Sequence, residues 1–229
     1  MLNFSVSDRF GAYIAYPSVT PAPVVVVVQE IFGVTEGIRG IADGLARDGY
    51  IAIAPDLFWR FSPCILLSEH SKEDWEQALG YYSRLDVEVA ADDIEATIAV
   101  ARALPAANGK VGVMGYCLGG LLSFIVATRG GVDAAVEYYG SQTERYLDRA
   151  EGIRSPLLIH LAGADAFMDE AAQKRIAGGL EGNRFVQTHV YEGRDHAFAR
   201  PGGDHFHAGD AELANGRTRA FLRRHLLDR

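Results

Sequence analysis

The sequence predicts an α/β fold, a mostly parallel sheet flanked by helices on both faces, and three observations carry that expectation. Short β-branched runs alternate with helical patterns along the chain, the signature of βα units wrapped into one sheet. The run Val24-Val25-Val26-Val27-Val28 is apolar at every position, as a strand covered on both faces must be. A glycine-punctuated turn, Gly115-Tyr116-Cys117-Leu118-Gly119-Gly120, joins a second apolar run to an apolar helix.

Element by element, Val24–Val28 is followed by a helix that Thr35 caps, with Ile38, Ile41, Ala42 and Leu45 on one face and Gly49 at its end. Tyr50 to Ala54 reads as the next strand, stopped by Pro55. From Asp86 to Leu104, Val87, Ala91, Ile94, Ile98 and Ala101 recur at helical spacing. Asp86, Glu88, Asp92, Asp93 and Glu95 crowd its N-terminal half, where the helix dipole favours them, and Pro105 closes it. Lys110 to Met114 is a strand, and Leu118 to Thr128 a helix apolar nearly all round, hence buried. Strands at Ala134–Tyr138, Leu157–Leu161 and Val186–Tyr191 are separated by helical stretches around Glu144–Ala150 and Glu170–Leu180. A last helix runs from about Ala211 to Leu227, with Ala214, Thr218, Phe221, Leu222 and Leu226 on one side. Phe58 to Ser83, rich in aromatic and charged residues, shows no clear period and is a candidate lid over a pocket.

The 229 residues suit one domain, 1–229, large enough to fold without disulfides or a structural metal. With 48% hydrophobic and 23% charged residues the composition excludes disorder, collagen and coiled coil. Two cysteines, Cys64 and Cys117, offer no disulfide framework and point to a reducing, cytoplasmic setting. A net charge of -8 repels polyanions, so nucleic acid is not an expected partner. The N-terminus lacks a basic start followed by an apolar run, so no signal peptide is expected, and Val24–Val28 is far shorter than the roughly 20 residues a membrane span needs. The expectation is a soluble monomer or small homo-oligomer without a cofactor.

The chemistry centres on Cys117. A G-x-[SC]-x-G turn between strand and helix is a nucleophile elbow, here with cysteine in place of the usual serine. The turn forces strained backbone on its central residue, and the flanking glycines remove side chains that would clash. The sulfur is lifted to the positive end of a helix, where an anion is favoured, and the N–H of Leu118 points to where an oxyanion would form. A cysteine between glycines is, on its own, more often a small buried hydrophobe; the strand before it and the helix after it favour the nucleophile.

A base and a group to orient it belong at the carboxyl ends of neighbouring strands. Asp165 follows Leu157–Leu161 in Ala162-Gly163-Ala164-Asp165, and His196 follows Val186–Tyr191 in Glu192-Gly193-Arg194-Asp195-His196. The order Cys117, Asp165, His196 is that of α/β-hydrolase triads. His196 would take the thiol proton, and Asp165 would hold its tautomer. Singly, Asp165 reads as a turn or cap and His196 as a solvated loop residue; three strand ends in succession favour the triad. Asp195, beside His196, is a poor orienter because neighbours in an extended loop point apart, and Asp169 is a candidate helix cap. His205-x-His207 with Asp204 and Asp210 lacks a third ligand at zinc-site spacing, so no metal is expected.

From roughly Val24 to its end the chain resembles the dienelactone hydrolases (carboxymethylenebutenolidases). The resemblance rests on Gln29-Glu30-Ile31-Phe32-Gly33-Val34, Ala54-Pro55-Asp56-Leu57, Gly112 through Gly120, Tyr138-Tyr139-Gly140, and Tyr191-Glu192 through His196-Ala197-Phe198-Ala199-Arg200. It implies an α/β-hydrolase core without a large cap, a Cys117–His196–Asp165 triad, and an oxyanion hole from the N–H groups of Ile31 and Leu118. It implies that Glu30 meets the resting thiol and moves aside on substrate binding, which suits the rule that a nearby carboxylate disfavours a second anion. It also implies substrate contacts from Phe32, Trp75 and Tyr139, and a substrate carboxylate paired with Arg200. A second carboxylate-binding arginine of the family falls near Trp75, where this chain has none; Arg60 or Lys72 are the substitutes at hand. The implied activity is opening of a lactone, dienelactone to maleylacetate, in aromatic catabolism. The altered arginine pattern leaves another ester or thioester as the alternative, and a non-catalytic binding protein of the same fold as a third.

Overall fold

The structure, a computed structural model, describes residues 1–228. The chain forms two compact units, Met1–Val113 and Met114–Arg229. In the first, strands β1 (Phe4–Ser5), β2 (Gly11–Ala15), β3 (Ala22–Val28) and β4 (Ile51–Pro55) lie in the order β1-β2-β4-β3. β3 and β4 are parallel, with Val25 opposite Ala52, while β2 runs antiparallel to β4. Every residue of β3 is buried, as its unbroken apolar sequence requires. Helix α1 (Glu36–Arg47) is capped by Thr35, whose hydroxyl accepts from the Ile38 N–H, and buries Ile38, Ala42, Leu45 and Ala46. The unit also holds α2 (Lys72–Tyr82) and α3 (Val87–Ala103); the Asp86 carboxylate caps α3 by accepting from Glu88 and Val89 N–H.

Strand β5 (Ala107–Tyr116) leads from the first unit into the second, where the order is β5-β6-β7-β8. β6 (Ala134–Tyr138), β7 (Leu157–Ala162) and β8 (Val186–Tyr191) are parallel, with Val136 opposite Leu158 and Ile159 opposite Thr188. Helix α4 (Leu118–Arg129) is buried from Leu118 through Thr128. A 3₁₀ stretch (Thr143–Gly152), α5 (Glu170–Leu180) and α6 (Ala208–Leu222) complete the unit. The parallel strands all deliver their carboxyl ends to loops on one edge: β5 to Cys117, β6 to Tyr139–Ser141, β7 to Gly163–Asp165 and β8 to Glu192–His196.

The structure departs from the sequence expectation at several places, each with a local reason. β1 and β2 were not expected, because they are short and β2 alternates only partly between half-buried and buried positions. β4 begins one residue later than Tyr50 and keeps Pro55, which at the strand's last position has no following ladder to interrupt; the Tyr50 N–H instead closes α1 on the Leu45 carbonyl. β5 starts at Ala107, since Asn108 and Gly109 pair as strand while remaining exposed. Phe58–Ser83 contains α2, started by Ser71, whose hydroxyl accepts from the Asp74 N–H. The stretch expected around Glu144–Ala150 is 3₁₀ rather than α. The last helix starts at Ala208 and loosens after Leu222 into a π-turn, Arg223–Leu227.

Two buried polar groups lie beneath the loops of the second unit. His160, on β7, is fully buried and bonded through Nδ1 to the Tyr191 hydroxyl (2.8 Å) and through Nε2 to the Thr218 hydroxyl (2.9 Å), which also meets the Tyr138 hydroxyl at 2.7 Å. Burial first, then the charges of His189 and Arg217, hold its pKa down to about 3, so it is neutral throughout the ordinary range. Glu137, on β6, is fully buried, with Oε1 accepting from the Thr143 hydroxyl at 2.7 Å and Oε2 without a partner. Burial pushes its pKa up to about 8, against the hydrogen bonds from Thr143 and Gly140.

Among the described residues no helix is long and apolar enough to cross a membrane, and no three His, Cys, Asp or Glu residues are grouped to hold a metal. His207 instead caps α6, its Nδ1 accepting from the Asp210 N–H, and His205 pairs with Asp195 at 3.3 Å.

Candidate active site

Cys117 sits between β5 and α4 with φ 55° and ψ -115°, a backbone conformation an L-residue adopts only under constraint. Its N–H donates to the Tyr138 carbonyl (3.0 Å), and its carbonyl accepts from Gly120 (3.0 Å) and Leu121 (3.2 Å), so both sides of the turn are held. The glycines answer to close backbone approach. A Cβ on Gly115 would lie 2.1 Å from the Gly119 carbonyl oxygen, and one on Gly120 would lie 2.6 Å from that of Tyr138. Leu118 is the first residue of α4, where a backbone N–H has no intrahelical acceptor.

His196 and Asp165 meet directly. Imidazole Nδ1 lies 2.8 Å from Asp165 Oδ2, and both side chains are buried. The other carboxylate oxygen accepts from the Phe167 N–H at 2.8 Å, so the carboxylate cannot swing away from the ring without losing a second bond. Asp195 does not orient the imidazole; its Oδ1 accepts from the N–H groups of Ala166 (2.9 Å) and His196 (2.7 Å), tying the Asp165 loop to the His196 loop. Asp169 caps α5, accepting from the Ala172 N–H. Ala197, next to His196, is held at φ 63°, a second strained residue beside the chemistry.

Burial works against a charged imidazole at His196. The charge of Cys117 and the hydrogen bond with Asp165 outweigh it and raise its pKa well above the ordinary histidine value. Nε2, the nitrogen not facing Asp165, is buried. The sulfur interacts with His196 by charge and side-chain hydrogen bonding, and also lies 3.6 Å from the Ser141 hydroxyl. A thiol, an imidazole and a carboxylate in this arrangement can hold a thiolate beside an imidazolium and return a proton to a leaving group.

Aromatic rings wall the imidazole. Tyr139, at φ 39°, places its ring 5.1 Å from that of His196 and 5.7 Å from that of Phe198. Phe167 meets His196 edge-on at 4.9 Å while more than half exposed. Arg200, half-buried, lies four residues past His196, its N–H donating to the Ala197 carbonyl. Ser141 and Phe167 were not singled out from sequence; the available signal was their place just past the ends of β6 and β7.

The other expected site residues belong to the first unit. Glu30 and Ile31 are buried directly after β3, and Glu30 bridges to Gly33. Phe32 packs edge-on against Trp75 at 4.9 Å, and the Trp75 indole N–H donates to the Glu69 carbonyl. Neither substitute cation stands idle. Arg60 binds both carboxylate oxygens of Asp93 and stacks over Trp59 at 4.2 Å, and Lys72, exposed on α2, lies 4.0 Å from Glu76.

The dienelactone hydrolase family model matches residues 10–226. Carboxymethylenebutenolidase of Pseudomonas putida is 41% identical over 213 residues, covering 93% of this chain and 90% of that protein. Carboxymethylenebutenolidase 1 of Cupriavidus pinatubonensis is 37% identical over 214 residues, covering 93% and 91%. Among solved structures, a Klebsiella pneumoniae protein assigned as a dienelactone hydrolase superposes with a TM-score of 0.82 at 26% identity, covering 93% of this chain and 92% of that one. The Anabaena variabilis dienelactone hydrolase shares the fold, with a TM-score of 0.71 at 17% identity over 97% and 95% of the two chains. With the α/β-hydrolase fold, the elbow at Cys117 and these likenesses over nearly its whole length, the chain belongs to the dienelactone hydrolase family.

Proposed function

We propose that this chain is a cysteine-dependent hydrolase that opens a lactone, dienelactone to maleylacetate being the leading candidate, within one catalytic domain. The observation that carries the proposal is the buried His196–Asp165 pair at 2.8 Å, whose imidazole feels the charge of Cys117. Curated relatives of this length and identity are carboxymethylenebutenolidases. In the proposed reaction the Cys117 thiolate adds to the lactone carbonyl, and the oxyanion is met by the Leu118 N–H at the start of α4. Collapse breaks the ring C–O bond, His196 gives its proton to the departing oxygen, and a thioester remains on Cys117. Water, deprotonated by His196, then hydrolyses the thioester and frees the second carboxylate. The roles of Glu30, Ile31, Phe32 and Trp75 in the first unit rest on the family resemblance.

A second reading has its own observation. Arg60 is committed to Asp93 and Lys72 is exposed beside Glu76, so Arg200 is left as the one arginine that the resemblance assigns to a substrate carboxylate. That favours a substrate with less demand for charge pairing, such as a neutral ester or thioester. The test compares kcat/KM for dienelactone and for a neutral aryl ester, in wild type and Arg200→Ala. A carboxylate-bearing lactone as substrate predicts that the variant loses at least about tenfold on dienelactone and little on the ester. Faster turnover of the neutral ester by wild type, with both rates insensitive to Arg200, overturns the dienelactone assignment in favour of the second reading.

A further inference from the structure

The contact between Cys117 and Ser141 is one that neither the triad nor the resemblance explains. The Ser141 hydroxyl is buried and lies 3.6 Å from the Cys117 sulfur, a normal separation once the larger radius of sulfur is allowed for. Two backbone hydrogen bonds fix the pair. The Cys117 N–H donates to the Tyr138 carbonyl, and the Ser141 N–H reaches the Cys117 carbonyl at 3.4 Å. The turn after β6 is thereby laced to the elbow on both sides, with the serine side chain aimed at the sulfur. Beneath it, Thr143 bonds both the Glu137 carboxyl and the Gly140 carbonyl, at 2.7 and 3.2 Å, which holds the Gly140-Ser141 turn in place.

We infer that Ser141 is a hydrogen-bond donor to the nucleophile, holding the Cys117 sulfur as a thiolate in position for attack. This rests on the proposed role of Cys117. The direction of donation follows from chemistry. A hydroxyl is a stronger donor than a thiol, and a thiolate is a far better acceptor than a neutral sulfur. His196 acts on the same sulfur, by charge and by side-chain hydrogen bonding, and the Ser141 hydroxyl adds a second contact at 3.6 Å. Once the sulfur is acylated it becomes a poor acceptor, and the contribution is lost. Ser141 therefore assists attack by the sulfur, and it bonds the sulfur again as the thiolate departs when the thioester is hydrolysed.

Ser141→Thr and Ser141→Val have nearly the same shape and differ in the hydroxyl, so any strain they introduce is shared. The experiment measures iodoacetamide alkylation of Cys117 and Cys64 by peptide mass mapping at neutral pH, with thiolate absorbance near 240 nm alongside. All chains carry Glu30→Gln, so that the carboxylate the resemblance sets against the resting thiol is absent, and the Ser141 chain serves as wild type. The expected result is that Cys117 in Ser141→Thr reacts within about threefold of wild type, and in Ser141→Val about tenfold or more slowly with weaker thiolate absorbance. Cys64, exposed and remote in sequence, keeps its rate in both. Equal Cys117 rates and absorbance in the two variants, with wild-type Cys117 still much faster than Cys64, overturn the role of Ser141 and leave the nucleophile standing. If wild-type Cys117 reacts no faster than Cys64, the nucleophile reading itself fails, and this inference with it.

Discussion

His196 and Asp165 are joined by a 2.8 Å contact between two side chains that solvent scarcely reaches. A carboxylate in that position fixes which ring nitrogen carries the proton. Asp165→Asn keeps the shape while offering the ring a donor instead of an acceptor. We expect a loss of about 10³–10⁴-fold in kcat with the melting temperature little changed, checked by steady-state kinetics beside calorimetry.

The charge of Cys117 is the largest influence raising the His196 pKa, ahead of the bond to Asp165. Replacing the sulfur by a hydroxyl that stays neutral removes that charge. In Cys117→Ser, the His196 ring should therefore deprotonate at a distinctly lower pH than in wild type, read by nitrogen NMR of the imidazole. An unchanged titration would mean that no thiolate faces the ring.

Glu137 makes stability depend on pH. Its carboxyl holds a proton in the folded chain up to about pH 8, whereas an unfolded chain releases it near 4.5. The folded form is thus favoured below that lower value, and the advantage is lost as pH rises through 8. Glu137→Gln cannot titrate. Between pH 5 and pH 8.5 the wild type should lose about 2–4 kcal/mol more than the variant, by denaturant titration at the two pH values.

His160 has the opposite sense. Its folded pKa is depressed to about 3, so the unfolded chain takes up the proton first and stability falls as pH drops below about 6.5. Thr218→Val removes the hydroxyl shared by His160 and Tyr138; His160 Nε2 loses its partner, while the Tyr138 hydroxyl keeps Asn215 at 2.9 Å. A loss of about 1–3 kcal/mol at pH 7 is expected, with activity per folded molecule preserved, which separates this network from the proposed catalytic one.

Much of this was legible in the sequence because parallel sheets impose a simple grammar. Cys117, Asp165 and His196 each follow a buried β-branched run, and the structure places each just past a strand end. The Thr35 cap, the helix after Asp86 and the buried face of α4 were readable for the same reason, that one local pattern has one structural solution. The capping role of Asp86 itself is visible only in the structure. The illegible parts depend on other segments. β2 is a strand because β4 offers it an edge. Helix α2 buries only Ala78 and so shows no apolar stripe, and its cap at Ser71 emerges only from the structure. Ser141 has no motif; its contact with the sulfur exists because the β6 turn folds back on the elbow. The positive φ values of Tyr139 and Ala197 belong to residue types that carry no such signal.

The central claim is tested most directly by the hydrolysis of dienelactone, followed by its ultraviolet absorbance, in wild type and Cys117→Ala. The account predicts rapid lactone opening by the wild type and a loss of at least about 10⁴-fold in the variant, with the fold intact by circular dichroism. Lactone turnover that survives in Cys117→Ala at a comparable rate would contradict it, because the nucleophile would then lie elsewhere.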